Sequence, residues 1–95
     1  GRAAQAGVEP ETGLSAIRIA TELIQSLPQG RLDGETTFNL GLISGGTVRN
    51  AVPSDATFGG EFRSRNVETL DSLRMQVVST LEAARKKYAD ATIQE

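Results

Sequence analysis

Two segments of helical period enclose two segments of alternating period, and that order confines the chain to a short list of folds. From Leu14 to Leu27, the residues Ala16, Ile17, Ala20, Leu23, Ile24 and Leu27 recur every three or four positions, the mark of one helix face. Thr12 and Gly13 stand at its capping positions, Glu9 and Glu11 lie near the positive end of its dipole, and Pro28 with Gly30 stops it. A second stripe, Leu70, Leu73, Val77, Leu81, Ala84 and Tyr88, runs from Val67 to about Tyr88 behind the N-cap Asn66. Arg85, Lys86 and Lys87 crowd its last turn, where cations complement the dipole and read as a solvated helix end.

Between these helices, Thr36–Ser44 alternates Phe38, Leu40 and Leu42 with Thr37, Asn39 and Gly41. Ala56–Ser64 alternates Ala56, Phe58, Gly60 and Phe62 with Thr57, Gly59, Glu61 and Arg63. Each strand has an apolar and a polar face, as in an antiparallel sheet covered on one side. Gly41, Gly59 and Gly60 inside the strands signal bulges or close helix packing. Arg2–Gln5 and Ala91–Glu95 read as strands cut short. The order strand, helix, strand, strand, helix, strand is that of an α+β, ferredoxin-like split βαβ fold: a four-stranded antiparallel sheet with two helices on one face and truncated terminal strands. Residues 1–95 form one such domain. In the usual strand order (4-1-3-2), Thr36–Ser44 lies at an edge. An edge without Pro or an inward charge invites pairing with a second copy.

Composition narrows the function classes. Ten Lys and Arg against 12 Asp and Glu give a net charge of -2, the wrong balance for a general nucleic-acid binder. Phe38, Phe58 and Phe62 share the alternation expected of a core, which argues against an RNA-stacking sheet. With no His and no Cys, the chain assembles neither a His-based general acid–base nor a familiar zinc site, so no metal, cofactor or enzyme activity is expected of it alone. No apolar run approaches the roughly 20 residues of a membrane span, and no signal-peptide core opens the chain; a cytoplasmic location is expected.

Three places carry candidate chemistry. Gly45–Asp55 spans 11 residues between neighbouring strands, where hairpins use about 2–5. Its Gly45-Gly46 pair either merely bends the chain or leaves backbone N–H groups accessible to an anion or carbonyl oxygen; Asn50 is either a turn residue or an amide contact. Arg63 closes a polar strand face, with Arg49 and Arg65 expected around the same loop and strand end. A guanidinium fork suits a carboxylate, and a surface ion pair with Glu61 is the other reading. Gln5, where the first strand leaves the sheet, donates and accepts hydrogen bonds but transfers no proton at neutral pH.

The series Gly1-Arg2-Ala3-Ala4-Gln5-Ala6-Gly7-Val8-Glu9-Pro10, then Gly13-Leu14-Ser15-Ala16-Ile17, then Gly45 to Pro53, then Glu61-Phe62-Arg63, resembles the dimerisation (lid) domain of zinc metallopeptidase family M20, closest to its peptidase T-like branch. The resemblance implies a lid excised from a larger exopeptidase or amidohydrolase, whose separate catalytic domain holds two zinc ions and hydrolyses a peptide or acyl-amino-acid substrate. It implies a homodimer through the Leu14–Leu27 helix and the Thr36–Ser44 edge strand. It also implies substrate contacts at Asn50, Arg63, Gly45 and Gly46. Where many members place a histidine that reaches the partner's active site, this chain has Gln5, an uncharged donor. The alternative is a free-standing ferredoxin-like regulatory domain binding a small acidic ligand.

Overall fold

The expected sheet is present, extended by one strand at its edge. The computed structural model describes residues 2–7 and 13–95, with the backbone alone for residues 2–6. Strand β1 (Arg2–Gly7) is followed by helix α1 (Ala16–Ser26), strands β2 (Gly30–Asp33), β3 (Thr36–Gly45) and β4 (Asp55–Ser64), helix α2 (Val67–Lys87) and strand β5 (Thr92–Gln94). The sheet order is β2-β3-β4-β1-β5, every pairing antiparallel. Without β2, this is the 4-1-3-2 order of the split βαβ fold. The expected edge position of Thr36–Ser44 needs correction: β2 pairs with Thr36, Thr37 and Phe38, leaving only the far part of β3 at the edge. All four residues of β2 are exposed, so no burial pattern marked it. Asp33 helps to form the turn, its carboxylate accepting the Glu35 N–H at 2.8 Å.

Both helices cover one face. Ala16, Ile19, Ala20, Leu23 and Leu27 meet Leu73, Val77, Leu81 and Ala84 over Phe38, Ala56, Phe58 and Ile93 in a single core. The α1 stripe is rotated from the expected one, with Ile19 fully buried and Ile17 exposed. The cap also differs: Ser15 accepts the Arg18 N–H at 3.2 Å, and the helix runs from Ala16 to Ser26 rather than from Leu14 to Leu27. Thr12, Glu9 and Glu11, like Gly1, Val8 and Pro10 of the motif series, lie outside the described residues. Asn66 caps α2 as expected, accepting the Glu68 and Thr69 N–H groups at 2.9 and 3.2 Å. Thr36, buried without exposure, is satisfied by Ser64 Oγ at 2.8 Å, and Phe62 meets Phe38 edge to face with 4.7 Å between centroids.

One feature of β3 departs from simple alternation. The β3–β4 register shifts between Leu40 and Leu42, so Phe38 and Leu40 face Phe62 and Gly60, whereas Ile43, not Leu42, stands opposite Phe58. The bulge turns Leu42 out of the core, where it is 76% exposed. The glycines at 41, 59 and 60 surround this bulge.

At the open end of the helical layer, the Glu22 carboxylate accepts hydrogen bonds from Lys87 Nζ and the Tyr88 hydroxyl, tying α1 to the end of α2. Those bonds, led by Lys87, hold the Glu22 carboxyl below its ordinary 4.5, and Glu22 raises Lys87 above its ordinary 10.5. A depressed carboxyl stabilises the fold above its unfolded value and loses that contribution as pH falls through the folded one; a raised amine does so below its unfolded value and loses it as pH rises. The pair therefore supports the fold across the span between these two ordinary values. Glu22→Gln is expected to flatten the acid limb of the urea midpoint plotted against pH, below about pH 5. An unchanged acid limb would show that the pair contributes nothing.

Candidate functional site

The strands carry the candidate residues to two separate ends of the sheet. At one end, β3 and β4 are joined by residues 46–54, a nine-residue loop shorter than the expected 11-residue segment because Gly45 and Asp55 belong to the strands. Gly46 has φ +81, a conformation that disfavours any side chain, and its N–H donates to Asp55 O at 3.2 Å, closing the loop. That amide is thereby occupied. A Cβ on Gly45 would lie 3.0 Å from Ile17 Cγ1 and 3.1 Å from Ala56 Cβ, so the close approach of α1 favours glycine there. The loop is held from its other side by the Ala16 N–H, which donates to Pro53 O at 3.0 Å. Asn50 sits exposed in the turn of this anchored loop, beside exposed Arg49. Ile17, Gly45, Gly46, Val48, Arg49 and Pro53 help to line an open depression of about 400 Å³.

Gln5 belongs to the same end by backbone register. It stands opposite Thr57 on one side and Gln94 on the other, and Thr57 in turn stands opposite Ser44. Thr57 lies between buried Ala56 and buried Phe58, so its own side chain is on the sheet face turned away from the helices.

Arg63 is at the opposite end. It pairs with Thr37, whereas Gly45 pairs with Ala56. Seven residues of β4 at about 3.3 Å each separate the two positions by about 23 Å. The expected grouping of Arg49 with Arg63 and Arg65 is therefore not formed: β4 carries the latter two away from the loop. Arg63 Nε donates to Glu61 Oε1 at 2.8 Å on the same strand face, the ion pair that the sequence offered as its other reading.

A surface the sequence assigned partly to the core completes the picture. Leu42, Ile43, Val48 and Val52 are exposed on the open part of β3 and the following loop, and Ile17 joins them from α1. The signal for it was the glycine cluster at 41, 59 and 60, which foretold a bulge but not its consequence for Leu42. A groove of about 340 Å³ between α1 and α2 holds none of the candidate residues. Among the described residues, no cluster of three His, Cys, Asp or Glu is placed to hold a metal ion, and no helix is long and apolar enough to cross a membrane.

Residues 1–89 match the family model described as the peptidase dimerisation domain (M20_dimer). The chain is 42% identical over 84 residues to an uncharacterised protein, YqjE, from Bacillus subtilis strain 168, covering 88% of this chain and 23% of that one. Its fold is similar to the crystal structure of aminopeptidase PepT from Bacillus cereus, with TM-score 0.78 and 30% identity, covering 97% of this chain and 27% of that one. It is similar in fold to a tripeptidase from Staphylococcus aureus, with TM-score 0.80 and 24% identity, covering 97% and 26% of the two chains. A dinuclear metal-binding M20 peptidase from Bacillus subtilis, YxeP, shares the fold at TM-score 0.71 and 16% identity over 97% of this chain and 23% of that one. The chain thus spans about a quarter of the length of these relatives.

Proposed function

We propose, from the premise that this chain belongs to the M20 peptidase dimerisation domain family, that it pairs two copies of a larger hydrolase and that each pair builds its substrate sites from both chains. The larger protein, on this reading, is a cytoplasmic di-zinc exopeptidase of the peptidase T-like kind, cleaving peptide or acyl-amino-acid bonds. The similarity to PepT supports that assignment and favours it over a free-standing regulatory domain. On this reading the metals belong to a separate catalytic domain, and the described residues of this chain contribute to substrate binding rather than to metal ligation.

The observation that carries the two-chain site is the separation of about 23 Å between the Gly45 and Arg63 positions of one sheet. An extended tripeptide spans only about 10 Å. One chain therefore cannot hold both ends of such a substrate with Arg63 and Asn50. The open edge suggests how two chains do. Antiparallel pairing of the stretch from Asn39 to Gly45 with its own copy, about a two-fold axis near Leu42, sets Gly45 of one chain level with Asn39 of the other. The loop bearing Asn50 then arrives level with Thr37 and Arg63 of the partner subunit. Ile17 and Ile43 on the helix side lend the junction apolar area, so the homodimer uses α1 and the β3 edge.

In such a site each residue has a simple task. The Arg63 fork holds a substrate carboxylate, the Asn50 amide hydrogen-bonds the peptide backbone, and Gly45 and Gly46 shape the loop that presents it. Gln5 supplies an uncharged hydrogen bond to a developing oxyanion. Arg63→Ala in the full-length protein is expected to raise KM for a carboxylate-bearing substrate by about 10–100-fold, the loss of a charge-assisted pair, with the fold intact. Unchanged kinetics would remove Arg63 from the site.

A further inference from the structure

We infer that Glu61 is a positioning residue for Arg63, holding the guanidinium at its inner nitrogen so that its outer edge is presented to a substrate carboxylate. The inference rests on the reading of Arg63 given above. Residues 61 and 63 are two apart on β4 and share a face, with Asn39 and Thr37 opposite them. Glu61 Oε1 takes the Nε–H at 2.8 Å, and among the described residues this is the guanidinium's one hydrogen bond. The two Nη groups keep the paired N–H vectors that match a carboxylate side by side.

The pair adds little to stability: the side chains are 76% and 46% exposed, and exposed ion pairs contribute little to folding. Its consequence is conformational. A free arginine loses much rotamer freedom when it binds, and a tether at Nε removes part of that loss before the substrate arrives. The tether also fixes which edge is offered. A carboxylate that took Nε would have to expel Glu61, whereas one on the Nη edge leaves the pair intact.

Two measurements test this. In the 95-residue chain, the Arg63 Nε–H order parameter from 15N relaxation is expected near 0.8 and below about 0.6 in Glu61→Ala. In the full-length protein, Glu61→Ala is expected to raise KM for tri-alanine about tenfold with kcat within about twofold, a loss read at the binding step. Glu61→Gln, whose amide oxygen still accepts from Nε, is expected to remain within about threefold of the parent. Glu61→Ala added to Arg63→Ala is expected to change nothing further. An equally mobile Nε–H in both proteins, or a KM unchanged or lowered by Glu61→Ala while Arg63→Ala raises it, overturns the positioning role and leaves Arg63 in place. A KM indifferent to Arg63→Ala overturns the reading of Arg63 itself, and this inference with it.

Discussion

Gly60→Ala is expected to lower Tm by about 10–20 °C, the equivalent of about 2–3 kcal/mol in a domain of this size. The cause is backbone, not flexibility. A Cβ at position 60 would lie 2.2 Å from the Asn39 carbonyl oxygen and 2.8 Å from Leu40 Cδ2, both on β3 just before the bulge. Asn39 cannot yield alone, because its neighbours are laddered to Phe62 and Gly60 across the same pair of strands. Relief requires β3 to move away from β4 and to loosen the packing of Phe38 on Phe62. Gly34→Ala is the control: a Cβ there meets nothing within 4 Å, and its Tm is expected to stay within about 3 °C of the parent. Thermal unfolding of both variants at one protein concentration checks the pair of expectations, since association would otherwise shift Tm by mass action. A Gly60→Ala protein as stable as the parent would mean that the bulge absorbs a methyl group.

Ile43→Glu is expected to weaken self-association by at least about 100-fold and to leave a folded monomer. Ile43 is 60% exposed although it stands opposite buried Phe58, so its side chain lies at the rim of the core rather than within it. In a two-fold pairing near Leu42 each substitution places two new carboxylates close to one another across the junction. Light scattering on size-exclusion fractions reads the mass directly. Met75→Glu, at an equally exposed position on α2, is expected to leave association unchanged, because α2 lies over β4 and β5 and away from the open edge. Loss of association in Met75→Glu, or its retention in Ile43→Glu, would place the interface elsewhere.

Much of this fold was legible in the sequence because burial imposes periods. The α2 stripe through Leu73, Val77, Leu81 and Ala84 and the alternation of Ala56 and Phe58 each follow from one covered face. Where tertiary contact decides, the pattern alone misled. Ile17 and Ile19 lie about 160° apart on the α1 wheel, and it is Ile19 that falls on the stripe of Ala16, Ala20, Leu23 and Leu27 that the sheet covers. Leu42 continued an alternation that the bulge breaks, and β2 carries no alternation because it buries nothing. For β2 the Asp33-Gly34 pair was the available signal, a common hairpin turn dipeptide. The candidate site was legible as residue chemistry but not as geometry. Nothing in the spacing of Asn50 and Arg63 tells that a straight ten-residue strand sends the arginine to the far end of the sheet.

That separation makes a direct test possible. Full-length Arg63→Ala and Asn50→Ala proteins are mixed in equal amounts under conditions that exchange subunits and assayed well below the parent's KM, where a KM raised about 10–100-fold leaves only a small fraction of the parent's rate. If Arg63 of one chain and Asn50 of the other serve the same substrate, half of the dimers are mixed and each mixed dimer holds one intact site, so activity is expected to return to about one quarter of the parent's. Activity that stays at the level of the separate variants after proven exchange would contradict the shared site.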